Sequence, residues 1–77
     1  MMNIDEFTVK FAELFDDTPA SEITPSTAFH DLDEYSSLVS LSLIAMVDEE
    51  YEVTLTGNDI RNATTVEDLF NLVKGKA

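Results

Sequence analysis

The chain predicts an all-α fold, a small four-helix bundle of three longer helices and one short helix with a long first loop. Three observations predict it. Apolar residues recur at helical spacing in three separate segments. Asn or Thr followed three positions later by an acidic residue marks three helix starts: Asn3 with Glu6, Thr56 with Asp59, and Thr64 with Glu67. One stretch only, Val53-Thr54-Leu55, looks extended, and it is short enough to read as a linker.

The first helix follows from Ile4, Phe7, Phe11, Leu14 and Phe15, which fall on one core-facing stripe. Asn3 caps it, and it should end near Asp16 and Asp17, before Pro19. The connection from Asp16 to Ser36 holds two prolines and many Ser, Thr and Asp residues. A connection of that length in a compact domain calls for internal anchors, and Ile23, Phe29 and Leu32 can supply them.

The second helix runs from Ser37 to Tyr51. Its apolar residues occupy almost every face, so it is either central in the bundle or shows an apolar patch to something else. Asp48, Glu49, Glu50 and Glu52 close it at the end where the helix dipole disfavours negative charge. Thr56 and Asp59 cap a single turn through Ile60 and Arg61. Thr64 with Glu67 opens the last helix, which places Val66, Leu69, Phe70 and Val73 on one face, and Gly75 stands where a C′ glycine belongs.

At 77 residues this is one domain, 1–77. A formal net charge of −12 disfavours nucleic acid, anionic membranes and heparin-like partners, all of which would be repelled at long range. There is no cysteine, so an apolar content of 44% must build the core unaided by disulfides or thiolate metal sites. So short a chain leaves few residues for substrate walls, which argues against a free-standing enzyme. The N-terminus, Met1 to Glu6, has neither a basic region nor an apolar run, and the longest apolar run, Leu43 to Val47, cannot span a bilayer. The expected setting is the cytoplasm. There the glycosylation pattern Asn62-Ala63-Thr64 carries no meaning.

Candidate chemistry is sparse. Ser37, His30 and Asp31 offer the residue types of a hydrolytic triad, but no Gly-x-Ser-x-Gly elbow accompanies them. Asp31-Leu32-Asp33 fails as a calcium loop, with Ser36 at its glycine position and Ser42 at its closing glutamate. Ser37 alone reads as a helix N-cap. The acidic run reads as solvated surface, and Met2, Met46 and the aromatics as filler of core or surface.

Taken together, Phe29 and Leu32 leading into Ser37-Leu38, an acidic end at Asp48-Glu49-Glu50-Tyr51, and Thr64-Thr65-Val66-Glu67-Asp68-Leu69 downstream resemble the acyl carrier protein family. The likeness covers nearly the whole chain. Asp33-Glu34-Tyr35-Ser36-Ser37-Leu38 is most similar to a subgroup reading Glu-Trp-Asp-Ser-Leu, with Tyr35 for the tryptophan and Ser36 for the aspartate. The resemblance implies a covalent 4′-phosphopantetheine on Ser37, no catalytic residue, and no resident metal. It implies docking through Leu38, Val39, Met46, Asp48, Glu49 and Glu50 to a phosphopantetheinyl transferase and to acyl-transferring and acyl-extending enzymes with basic patches. The carrier is expected to be a monomer, with no nucleic acid partner and no membrane insertion.

Two departures stand out. Ser36 replaces the aspartate that helps bind the transferase's divalent metal, a role that Asp33 or Glu34 could partly fill. The acidic residues expected two and five positions after the modified serine are Val39 and Ser42. The alternative reading is a small acidic helical adaptor, supported by the apolar excess of the second helix and carrying no prosthetic group.

Overall fold

A computed structural model describes residues 3–77; Met2, assigned above to core or surface, lies outside them. The four expected helices are present: α1 (Ile4–Ala12), α2 (Ser37–Tyr51), α3 (Gly57–Asn62) and α4 (Val66–Lys76), with short 3₁₀ turns at Ala20–Glu22 and Phe29–Asp31 in the long first connection.

Asn3 caps α1 through Oδ1, which accepts from the amides of Asp5 and Glu6 at 2.8 and 3.2 Å. The helix stops at Ala12, four residues before Asp16. Its last turn tightens, with Leu14 and Phe15 donating to the carbonyls of Phe11 and Ala12, each at 3.1 Å. The amides that would continue it are then drawn away by Glu34, as described below.

α2 keeps its expected bounds, and its ambiguity is resolved toward an exposed patch. Val39, Leu43 and Val47 form the one buried stripe, while Leu38 and Leu41 are 73% and 64% exposed. Val39 was expected on the docking face. It belongs to the core instead, because the i, i+4, i+8 row that it shares with Leu43 and Val47 is the row turned inward.

α3 has the expected capping box: Thr56 Oγ1 accepts from the Asp59 amide at 3.1 Å and Asp59 Oδ2 from the Thr56 amide at 3.0 Å. In α4 the box sits one residue later than expected, on Thr65 and Asp68 rather than Thr64 and Glu67. The long connection sets that register. The first two free amides of α4, on Val66 and Glu67, donate to the carbonyls of Thr27 and Pro25 at 3.1 and 2.9 Å, beside an antiparallel bridge between Ala28 and Thr65. Gly75 is not a C′ residue, since α4 continues to Lys76 and no glycine has positive φ. The left-handed cap is Glu52, φ 55° and ψ 38°, after α2.

The core is aromatic along α1. Phe7 meets the Phe70 ring of α4 edge-on at 5.8 Å, and Phe11 meets Phe29 of the connection at the same distance. Ile23 and Phe29 are buried and Leu32 half-buried against them, so the anchors expected in the long connection do hold it. Val53 and Leu55 are buried in the linker before α3. No described helix is long and apolar enough to cross a membrane.

Candidate functional site

The site is built where the long connection turns into α2. Ser36 has extended backbone (φ −151°, ψ 176°) and is the N-cap; its Oγ accepts from the Val39 amide at a long 3.5 Å. Ser37 is therefore the first helical residue and not the cap. Its side chain is exposed, and its hydroxyl makes no hydrogen bond among the described residues. The capping role that a lone serine would ordinarily fill is taken by its neighbour. The first turn of α2 also lacks acidic residues, whereas α1, α3 and α4 carry Asp or Glu there. The positive end of this helix faces solvent with nothing anionic of its own beside it.

Glu34 fixes the approach to that turn. Its carboxylate accepts from the amides of Asp16, Asp17 and Thr18 at 2.7 to 3.1 Å and from the Thr18 hydroxyl at 2.7 Å. The Thr18 hydroxyl above all, joined by these backbone amides, holds its carboxyl below the usual glutamate range against the opposing effect of desolvation. Both oxygens are committed, so the expectation that Glu34 could stand in for the missing metal ligand at position 36 is not met. Asp33 is exposed, and among the described residues no group of three or more His, Asp or Glu side chains is placed to hold a metal ion.

His30 is likewise committed. Its Nε2 lies 3.1 Å from the Ile60 carbonyl and 2.9 Å from that of Ala63, so it carries the proton and donates to the C-terminal end of α3. The ring lies tilted against Phe29 and meets Tyr35 edge-on, with centroids 4.2 and 5.3 Å away. Instead of activating Ser37, it ties α3 to the connection.

A groove of about 510 Å³ opens between α2 and α3 beside Ser37. Ser37, Tyr35 and Ser40 border one end, where the Tyr35 and Ser40 hydroxyls are hydrogen-bonded. Leu41, Ile44 and Ile60 are its apolar lining, and His30 and Arg61 also border it.

Of the expected docking residues, Leu38, Asp48, Glu49 and Glu50 are exposed and Met46 is half-buried. Glu50 is shared, because Lys10 of α1 reaches its Oε1 at 2.6 Å; that hydrogen bond is the main cause of the raised Lys10 pKa. Reading by sequence named Glu34 for a different role and missed its tether, because the partners lie at least 16 positions away and no local spacing marks them. It also missed Leu41. An i, i+4 grouping of Val39, Leu43 and Val47 would have left Leu41 outward with Leu38.

No curated protein matches the chain significantly in sequence. Among solved structures, the solution NMR structure of holo acyl carrier protein from Geobacter metallireducens is similar, with a TM-score of 0.75 and 28% identity, covering 99% of this chain and 86% of that one. Residues 6–73 match the family described as the phosphopantetheine attachment site. An all-α bundle with an exposed, unbonded serine opening its second helix, matched over nearly its whole length, belongs to that family, the family of acyl carrier proteins.

Proposed function

We propose that this protein carries acyl intermediates as thioesters on a 4′-phosphopantetheine arm joined to Ser37, and delivers them to partner enzymes of fatty acid, polyketide-like or related biosynthesis in the cytoplasm. One observation carries the assignment to Ser37: Ser36 supplies the cap of α2, which leaves the Ser37 hydroxyl exposed and without a partner at the helix start.

When bound, the arm supplies the thiol that a cysteine-free chain lacks. The residues here do the rest. Ser37 offers its Oγ to a phosphodiester linkage, and the unpaired first-turn amides of α2 face the negative charge. Glu34 holds the preceding turn against residues 16–18, so Ser37 is presented from a tethered segment. Leu38 and Leu41 give a partner enzyme an apolar contact, and Asp48 and Glu49 attract basic patches, setting on-rate and partner choice more than affinity. The chain works as a monomer and makes no bond itself.

The test is incubation with coenzyme A, magnesium and a broad-specificity phosphopantetheinyl transferase, followed by peptide mapping. Labelling on Ser37 that Ser37→Ala abolishes and Ser36→Ala spares supports the carrier. A protein that stays unmodified, both here and when purified from its own cell, supports the adaptor.

A further inference from the structure

We infer that Tyr35 is a positioning residue for the attachment of the arm, and that it acts through the hydrogen bond between its hydroxyl and that of Ser40; this rests on the reading of Ser37 as the attachment point. The bond straddles the site. Tyr35 precedes Ser37 in the connection and Ser40 follows it in α2, so the two partners enclose Ser36 and Ser37 between them. Both side chains are half-buried, where a hydroxyl pair is less exposed to competing water.

The start of α2 needs such a clamp. Its side-chain cap, from the Val39 amide to Ser36 Oγ, is 3.5 Å long and lies at the outer limit of a hydrogen bond. In α3 and α4 the cap is answered in return, by Asp59 on Thr56 and by Asp68 on Thr65, each at 3.0 Å. The corresponding position in α2 is Val39, which has no group to return the bond. Tyr35 is well placed to make good that loss. Its ring meets Phe29 and His30 edge-on, with centroids 5.3 Å away in both cases, and its amide donates to the Leu32 carbonyl at 3.0 Å. Glu34 ties the end of the connection back to residues 16–18. The next residue, Tyr35, carries that tie forward into the helix that bears Ser37.

The clamp also sorts the hydroxyls. Ser36 is engaged by Val39 and Ser40 by Tyr35, which leaves that of Ser37. In transfer from coenzyme A, Ser37 Oγ bonds to the phosphorus next to the pantetheine and the pyrophosphate bridge breaks. Adenosine 3′,5′-bisphosphate leaves with the bridging oxygen, and the Ser37 proton passes to a base outside this chain. A hydroxyl held in one place meets that phosphorus more often than one on a fraying turn. Tyr35 touches none of the reacting atoms.

The test uses the full-length protein with coenzyme A, magnesium and a broad-specificity transferase. Peptide mapping of the wild type comes first, and no addition at Ser37 overturns the attachment reading and the inference with it. Given addition there, Tyr35→Phe keeps the ring and removes its hydroxyl, and Ser40→Ala removes the other partner. Each should lower kcat of the transfer about fivefold, the worth of one hydrogen bond. KM for the carrier should stay unchanged, because the exposed Leu38, Asp48 and Glu49 are untouched. The double variant should be no slower than the slower single variant. Before any modification, the amide resonances of Ser36, Ser37 and Val39 should shift in both variants, while those of Leu69 and Val73 keep their places. Either single variant decides alone if the other fails to fold. An unchanged kcat, a loss confined to KM, or a double variant that multiplies the two losses overturns the inference.

Discussion

Glu34 holds Thr18 at two points, accepting from its amide and from its hydroxyl, each at 2.7 Å. The pair joins the beginning of the long connection to its end, three residues before Ser37. A carboxylate that accepts so many donors has a depressed pKa, so its contribution is fully present above the unfolded value, about 4.3 for glutamate, and is lost as pH falls through the lower folded value. Glu34→Gln should therefore lower the melting temperature at pH 7, and the gap to wild type should narrow as pH falls below the unfolded glutamate value. Thermal melts of both proteins across pH 3–7 check this. The same variant should slow modification of Ser37 if the tether helps present it.

Ser36→Asp should keep the helix start, because aspartate is as good an N-cap as serine. It would restore a carboxylate where Glu34 cannot provide one, and transfer of the arm by a broad-specificity transferase should accelerate. An unchanged rate under saturating magnesium would show that position 36 supplies nothing to the transfer.

Charging the two family positions on α2 should have unequal results. Val39 is 8% exposed and packs in the core, so Val39→Asp buries an unpaired carboxylate and should cost about 3 kcal/mol or more. Ser42 is exposed, and Ser42→Glu should stay within about 0.5 kcal/mol of wild type. Urea denaturation of the two single variants measures both.

The Tyr51 hydroxyl is buried and has no hydrogen-bond partner among the described residues, while its ring packs at 6.0 Å from Phe7. Tyr51→Phe keeps the ring and removes the unsatisfied group, and should stabilise the protein by about 1 kcal/mol. In a domain of this size that is roughly 4–8 °C in melting temperature, which calorimetry resolves.

Sodium chloride should raise the melting temperature of the wild type. The net charge is −12, and three close cation–carboxylate contacts, two of them sharing Lys10, are formed among the described residues. Salt that shortens the Debye length to about 8 Å relieves more repulsion than the attraction it screens. A fall in melting temperature between low and physiological salt would show the reverse balance.

The stripes of α1 and α4 were legible because each has one apolar face, and periodicity alone names what is buried: Phe7 and Phe11, Val66 and Val73. α2 is apolar on nearly every face, so its sequence holds no preference between the row of Val39 and the row of Leu38 and Leu41. Packing into the shared core decides it. The one-residue shift of the α4 cap has a similar origin. Thr64 and Thr65 are equivalent by composition, and the carbonyls of Pro25 and Thr27 select the second. Ser37 was legible from its neighbours, but that its hydroxyl is spared depends on Ser36, whose backbone turn is a product of the fold.

α3 is six residues long, and its C-terminal carbonyls are pinned to the connection by the single imidazole of His30. α4, by contrast, is stitched to that connection through its own backbone. The two elements should differ in how often they open. The amides of α3 should exchange with deuterium ahead of those of α4, by opening events that leave α2 in place. His30→Ala should speed the exchange of Ile60 and Arg61 more than that of Leu69. On that expectation the wall beside Ser37 is the one that opens first, with the His30 side chain as its hinge pin.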